Sequence, residues 1–304
     1  MKKFKFVSSI IFSFLLVSCS TFLTKNAELK SSINTSSVTK HVNLPKPAHV
    51  VILILENHAF EKVVGSDHTP FINQLASKGT LFTNSFGLAH PSQPNYIMLF
   101  SGSNQGVNGN ENPNNLPFKT PNLGAQLFSK NLTFAGYSEG LPQIGFTGES
   151  VGNYARKHSP WVLWQGEGEN TLSPETNQPF SNFPKDFSKL PTVSFVTPNL
   201  DNDMHDGFID SIKMKRADEW IKKNLSNYIN WAETNNSLFI LTFDEDDYFH
   251  NNKITTIFNG PMVKSGLFTG IINHYSILRT LQDMYQLPYA GESANSQPIS
   301  DCWK

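Results

Sequence analysis

Val50-Val51-Ile52-Leu53-Ile54-Leu55-Glu56-Asn57 is the stretch on which the reading of this chain turns. Six consecutive apolar residues, four of them β-branched, predict a strand buried on both faces, the pattern of a parallel sheet with layers on either side. The run stops abruptly on two oxygen donors, Glu56 and Asn57. Downstream, Thr69-Pro70 reads as a helix start, with Phe71, Ile72 and Leu75 on one face and Gly79 as the stop. A short strand follows at 80–83. Thr120-Pro121 repeats the start signal, with Leu123, Leu127 and Phe128 on one face before a strand at 133–137. A further strand is predicted at 192–196. From Lys213 to Glu233 the residues Ala217, Trp220, Ile221, Leu225, Tyr228, Ile229 and Ala232 recur at helical spacing. The strand Leu238–Phe243 comes next and runs into Asp244-Glu245-Asp246-Asp247. Strands alternating with helices predict an α/β fold, a three-layer α/β/α sandwich around a mostly parallel central sheet. Residues 138–190, rich in Gly, Pro, Asn and Ser, are expected to be long loops.

In such folds ligands sit beyond the carboxyl ends of the strands. The two most apolar strands each end there on adjacent oxygen donors, Glu56-Asn57 and Asp244-Glu245. Four acids in a row at 244–247 can be a solvated turn. Gathered with Glu56 in one pocket, however, carboxylates repel and cost several kcal/mol per ion to desolvate unless a cation compensates. A hard divalent ion suits a set that offers only oxygen. One divalent metal is therefore expected, Mg, Ca, Mn or Zn.

The segment His90-Pro91-Ser92-Gln93-Pro94-Asn95-Tyr96 leads into the apolar run Ile97–Phe100. Pro94 fits the first turn of a helix, which puts Ser92 near a helix N-terminus, where backbone amides and the helix dipole favour anions. Ser92 is then either an N-cap or a nucleophile, and a neighbouring metal would activate it in the second role. His205, between two acids in Asp203-Met204-His205-Asp206-Gly207, is a candidate general acid or an incidental turn residue. His158 and His274 are weaker candidates of the same kind.

The chain begins Met-Lys-Lys-Phe-Lys and continues through a short apolar run to Leu16-Val17-Ser18-Cys19. About 20 apolar residues would be needed to cross a bilayer, so the run reads as an export signal. Its form resembles a bacterial lipoprotein signal, residues 1–18, with Cys19 the lipidated first residue of the mature chain; an ordinary signal peptide or a short buried helix is the alternative. Residues 19–45 read as a flexible tether and 46–304 as a single domain. The expected location is the cell envelope, with the protein anchored to a bacterial membrane. Loss of residues 1–18 moves the formal charge from −1 to −4, which argues against bulk attraction to nucleic acid. The only other cysteine is Cys302, so lipidation of Cys19 leaves no intrachain disulfide.

Taken in order, Glu56-Asn57, His90-Pro91-Ser92-x-Pro94-Asn95-Tyr96, Asp203-Met204-His205-Asp206 and Asp244-Glu245 resemble the bacterial phosphoesterase family of acid phosphatases and phospholipases C, which has the alkaline phosphatase superfamily fold. The resemblance runs from about Val50 to Trp303. It implies that Glu56, Asn57, Asp244 and Glu245 bind one metal, with Ser92 both ligand and nucleophile. It further implies that Asn95, His158, His205 and Asp206 serve the phosphate, His205 donating the proton. The activity so implied is hydrolysis of phosphomonoesters through a phosphoserine, the short chain favouring the acid phosphatase branch. The substrate would be a small phosphate ester or a phospholipid head group. A phospholipase C or phosphodiesterase and a non-catalytic, metal-binding surface lipoprotein are the alternative readings.

Overall fold

Successive residues of the opening strand point to opposite sides of the sheet, and each side meets its own core. Val50, Ile52 and Ile54 pack with Phe100, Leu123 and Ile277, whereas Val51, Leu53 and Leu55 pack with Leu75, Ile221 and Tyr228. A strand buried on both faces favours a continuous apolar run, and His49 at its entrance is the only polar residue of this one. The structure, a computed structural model, describes residues 44–304, which belong to one compact unit. The signal at 1–18, Cys19 and all but the last two residues of the tether at 19–45 lie outside the described residues. Among the described residues no helix is long and apolar enough to cross a membrane.

Nine strands form the main sheet: β1 (His49–Leu55), β2 (Thr80–Phe86), β3 (Phe134–Ser138), β4 (Asn177–Pro179), β5 (Val193–Thr197), β6 (Ser237–Phe243), β7 (Lys253–Asn259), β8 (Gly266–Phe268) and β9 (Ile272–Asn273). Their order is β8-β2-β7-β6-β1-β5-β3-β4, with β9 also beside β2. Every pairing is parallel except those of β7, which runs against β2 and β6. The helices are α1 (Phe60–Val63), α2 (Pro70–Lys78), α3 (Ser92–Ser101), α4 (Leu123–Ser129), α5 (Asp210–Ala232) and α6 (His274–Tyr285). Residues of α3, α4 and α6 cover one face, and those of α2 and α5 the other. The result is the three-layer α/β/α arrangement expected.

Register decides where the chemistry lands. β1 and β6 are parallel neighbours with Leu55 opposite Phe243, so Glu56 and Asp244 leave the sheet side by side. The amide of Asp244 donates to the carbonyl of Leu55 at 3.0 Å. The order of the strands also explains the most buried sequences: β1 and β6 are central.

The structure corrects several boundaries. Helix α4 begins at Leu123, not at Thr120-Pro121, because Asn122 caps it by accepting from the amide of Ala125 at 2.9 Å. Thr69 precedes α2 as expected but does not cap it; its hydroxyl donates to the carbonyl of Val63 at 2.6 Å. The buried carboxylate of Asp218, on α5, accepts instead from the amides of Phe71 and Ile72 at 3.0 and 2.8 Å, so a cap supplied by a neighbouring helix of the same layer ties α2 to α5. The strand at 80–83 continues to Phe86, and α5 starts at Asp210, earlier than Lys213. Residues 139–190 have no long helix, as expected, yet they are more than loops. They contribute the edge strand β4, a small hairpin and five short 3-10 turns, and they bury Trp161 and Trp164 completely.

Trp161 lies flat against β3 because Gly136 has no side chain there: a β-carbon at Gly136 would overlap the indole ring. Its Nε1 donates to Asn177 Oδ1 of β4 at 2.8 Å, which locks the ring in place. Gly136→Ala should therefore destabilise the fold by about 1–3 kcal/mol through overpacking, read as a lower urea midpoint at unchanged slope; an unchanged midpoint would show that the contact yields freely.

Candidate active site

Four chain segments bring their polar residues to the carboxyl ends of the central strands. Glu56 and Asn57 follow β1, Ser92 opens α3, Asp203 and His205 lie in the loop after β5, and Asp244 and Glu245 follow β6. Asn57 has a left-handed backbone, φ 49°, and so does the buried Met204, φ 82°. Residues other than glycine reach this region at a cost, and such positions gather where a site needs them.

The hydroxyl oxygen of Ser92 is the meeting point. It lies 2.9 Å from Glu56 Oε2, 3.2 Å from Glu245 Oε1 and 3.4 Å from Asn57 Oδ1. The amide of Asn57 donates to Asp244 Oδ1 at 3.1 Å. Glu56, Asn57, Ser92, Asp244 and Glu245, the five residues expected to surround a metal, are thus in one cluster. A hydroxyl has one proton, so only one of the three oxygens around Ser92 can accept from it, and the others face it with lone pairs. Asp244 Oδ2 is buried and has no hydrogen-bond partner among the described residues. Burial raises Asp244 well above the usual carboxylate range, and repulsion from Glu56 and Glu245 raises it further. Burial and the charge of Glu56 likewise push Glu245 up to about 8. Glu56 goes the other way: burial would raise it, but His158 outweighs burial and holds it at about 2. An all-oxygen set with an orphaned carboxylate oxygen, whose members repel each other, fits a hard divalent cation.

A second buried group, Glu56, His158 and Asp203, also has the composition of a metal site. His158 places Nε2 3.2 Å from Glu56 Oε1 and Nδ1 3.3 Å from Asp203 Oδ2. Burial alone would lower its pKa, yet Glu56 and Asp203 raise it to about 9. With a carboxylate at each nitrogen, the ring bridges the two acids as an imidazolium. The cluster around Ser92, where no cationic side chain stands between the acids, is the better match to a metal ion.

The remaining expected residues divide by what they touch. Asn95 braces the loop before α3 and touches the acid cluster: its Oδ1 accepts from the amides of Leu88 and Ala89 at 2.9 and 3.0 Å, and its Nδ2 donates to the carbonyl of Ala89 at 2.7 Å and to Glu245 Oε2 at 3.5 Å. His205 is part-exposed, with Nδ1 2.7 Å from Asp206 Oδ1, so Asp206 orients the ring. His274 is buried, 2.7 Å from the carbonyl of Asp244, and burial lowers it to about 4; it positions the strand end.

Sequence reasoning gave no role to Tyr96, His90 or Lys157. The hydroxyl of Tyr96 donates to Glu56 Oε1. His90 lies 2.8 Å from Glu245 Oε2 and 3.2 Å from Asp246 Oδ1, and stacks on Tyr248 with centroids 4.0 Å apart. Lys157 Nζ is 3.1 Å from His205 Nε2. Tyr96 and His90 sit in the quoted motif, and Tyr96, four residues after Ser92, lies one helical turn along the same face. Lys157 had no signal beyond adjacency to His158. At the start of α3 the expected anion-holding amides are scarce, since the amide of Gln93 donates to Asn110 Oδ1 at 3.0 Å and Pro94 has no N–H.

Comparison with known proteins supplies the family. The model of the phosphoesterase family matches residues 66–288. The chain is 46% identical over 262 residues to a phosphatidylinositol-3-phosphatase of Mycobacterium tuberculosis, covering 86% of this chain and 84% of that one. It is 33% identical over 253 residues to an acid phosphatase of Aspergillus fumigatus, covering 78% of this chain but only 54% of the fungal protein. Among solved structures it superposes on an alkaline phosphatase superfamily protein from Vibrio parahaemolyticus with a TM-score of 0.59 at 13% identity, over 85% of this chain and 72% of that one. The last likeness shows the fold. Together with the match of the family model over most of the chain, it establishes that this chain belongs to the phosphoesterase family, on the alkaline phosphatase superfamily fold, and is a phosphoric ester hydrolase.

Proposed function

We propose that this protein is a metal-dependent phosphomonoesterase that works through a phosphoserine on Ser92, and that its substrates include phosphorylated inositol lipids. The observation that carries the reading is the position of the Ser92 hydroxyl, within 3.4 Å of oxygens of Glu56, Asn57 and Glu245. Glu56, Asn57, Ser92, Asp244 and Glu245 would hold the ion. A divalent cation there supplies neutralising charge for the phosphoryl group and acidifies the serine hydroxyl.

The other steps fall to the chain itself. Ser92 stands at the first position of the ten-residue helix α3, which fixes its hydroxyl among the oxygens of Glu56 and Glu245. The hydroxyl oxygen, its proton passing to Glu56 Oε2 at 2.9 Å, attacks phosphorus and the ester oxygen leaves opposite it. His205, its ring oriented through Nδ1 by Asp206 and its Nε2 facing Lys157 Nζ at 3.1 Å, gives a proton to that oxygen from Nε2 once Lys157 has moved off and Nε2 has taken one up from water. Tyr96 and His158 hold Glu56 in place from its far oxygen, so the carboxylate does not turn away from Ser92. Water then hydrolyses the phosphoserine.

Two features support a lipid head group. One is the similarity to a phosphatidylinositol-3-phosphatase. The other is apolar exposure next to the site: Phe208, fully exposed, comes three residues after His205, and Phe249, 85% exposed, comes four after Glu245. Lys62 bridges Asp210 and Asp247 at 3.2 and 2.7 Å, so both tips lie on one side of the site. Isolated rings in water are stabilised by entering a lipid interface.

Ser92→Ala should lower turnover of a chromogenic phosphomonoester by at least about a thousandfold, as expected for loss of a nucleophile, and abolish a phosphoserine trapped by acid quench; a variant of wild-type rate removes the mechanism. Asp244→Asn should raise the melting temperature of the chelated protein, because it relieves carboxylate repulsion, while removing the increase that added Mg²⁺, Ca²⁺, Mn²⁺ or Zn²⁺ gives the wild type. A wild-type melt indifferent to every cation would speak against the metal. Replacing Phe208 and Phe249 together by Ser should weaken hydrolysis of phosphatidylinositol-3-phosphate in vesicles by about tenfold or more and leave a water-soluble phosphomonoester untouched; equal losses on both would mean that the rings support the site and not the membrane contact.

A further inference from the structure

The groups that a phosphate would call on in this site are largely committed elsewhere. Gln93 gives its amide to Asn110, Pro94 has none, and Asn95 serves its own loop and Glu245. His158 is held between Glu56 and Asp203, and His90 between Glu245 and Asp246. Lys62 is neutralised by two carboxylates. Lys157 differs from all of these. Among the described residues its ammonium group has no carboxylate within 4.0 Å, and its one hydrogen bond is to a ring nitrogen, His205 Nε2, at 3.1 Å. Its side chain also lines a cleft of about 380 Å³ with Gln93, Asn110, Glu149 and Arg156, and Gln93 is the neighbour of the nucleophile.

We infer that Lys157 is the residue that selects the substrate by charge, donating to the non-bridging oxygens of a doubly charged phosphomonoester and so favouring it over a singly charged diester. The inference rests on the phosphomonoesterase reading above. A second negative charge on the substrate is repelled by a site built of carboxylates, and a compact ammonium with three donors offsets that repulsion most for the dianion. In the free protein Lys157 donates to Nε2 of His205, whose Nδ1 is on Asp206. Phosphoryl oxygens are stronger acceptors than a neutral ring nitrogen. Substrate therefore draws the ammonium away from Nε2, which is then open to take up a proton from water and pass it to the ester oxygen.

The test compares the full metal-loaded protein with Lys157→Met and Lys157→Arg on 4-nitrophenyl phosphate and bis(4-nitrophenyl) phosphate, with inorganic phosphate as inhibitor. Lys157→Met should raise KM for the monoester and the inhibition constant of phosphate by about ten- to a hundredfold, the size of a lost charge-assisted hydrogen bond, and should change kcat/KM for the diester by less than about threefold. Arg should recover part of the loss. In a His205→Ala background the same shift in the phosphate constant should persist; its disappearance there would make Lys157 a prop for the imidazole and overturn the assignment. Equal losses on monoester and diester, or an unchanged phosphate constant, would overturn it as well. Should Lys157→Met not melt cooperatively, Lys157→Gln carries the same comparison. A wild-type protein inactive on the monoester sinks the phosphatase reading, whereas an active wild type whose selectivity survives Lys157→Met sinks the lysine assignment alone.

Discussion

Mutual repulsion among Glu56, Asp244 and Glu245, three buried carboxylates at the ends of two adjacent strands, is the constraint on which the rest of this structure depends. A fold gains nothing in stability by assembling such a group. Each carboxylate loses its hydration on burial, and the members then oppose one another's ionisation. The divergence of their pKa values, Glu56 held low and its two neighbours pushed up, follows from that competition: burial raises all three, and only Glu56 has an imidazolium against it. Like charges kept together at such a cost are usual where a protein handles cations or anionic substrates.

The scaffold answers this repulsion with rigidity. The central strands are paired in register on both sides, so the donors at their ends cannot drift apart. Behind the acids stands a ring of fixed partners, each on a different element: Tyr96 on α3, His158 in the turn-rich region, and His274 at the start of α6. The same economy appears in the outer layers, where Asp218 of α5 caps α2. Trp161, pressed on the bare backbone of Gly136, ties the turn-rich region to the sheet and with it the segment that carries Lys157 and His158.

Much of this was legible from order alone. The two apolar runs identified β1 and β6, their abrupt polar ends identified Glu56-Asn57 and Asp244-Glu245, and Pro94 placed Ser92 at a helix start. These signals are local: burial on both faces forces a continuous apolar sequence, and a strand end releases that demand within one residue. The beginning of α4 was misplaced because a Thr-Pro pair is a start signal that Asn122, two residues on, overrides by offering a better-placed oxygen. The edge strand Asn177–Pro179 was invisible, since Asn-Gln-Pro at a sheet margin carries no hydrophobic pattern.

By itself, then, the sequence determined the layered α/β architecture and which residues would stand at the ends of its central strands, because both follow from patterns that neighbouring residues impose on each other. The partners were decided only in three dimensions. That β1 and β6 are adjacent and in register, that His158 bridges Glu56 to Asp203, that Asn95 turns to its own loop, and that Lys157 reaches His205 across 48 positions of chain are contacts between distant segments. No local pattern encodes them, since each depends on how separate layers pack, and packing is a property of the whole fold.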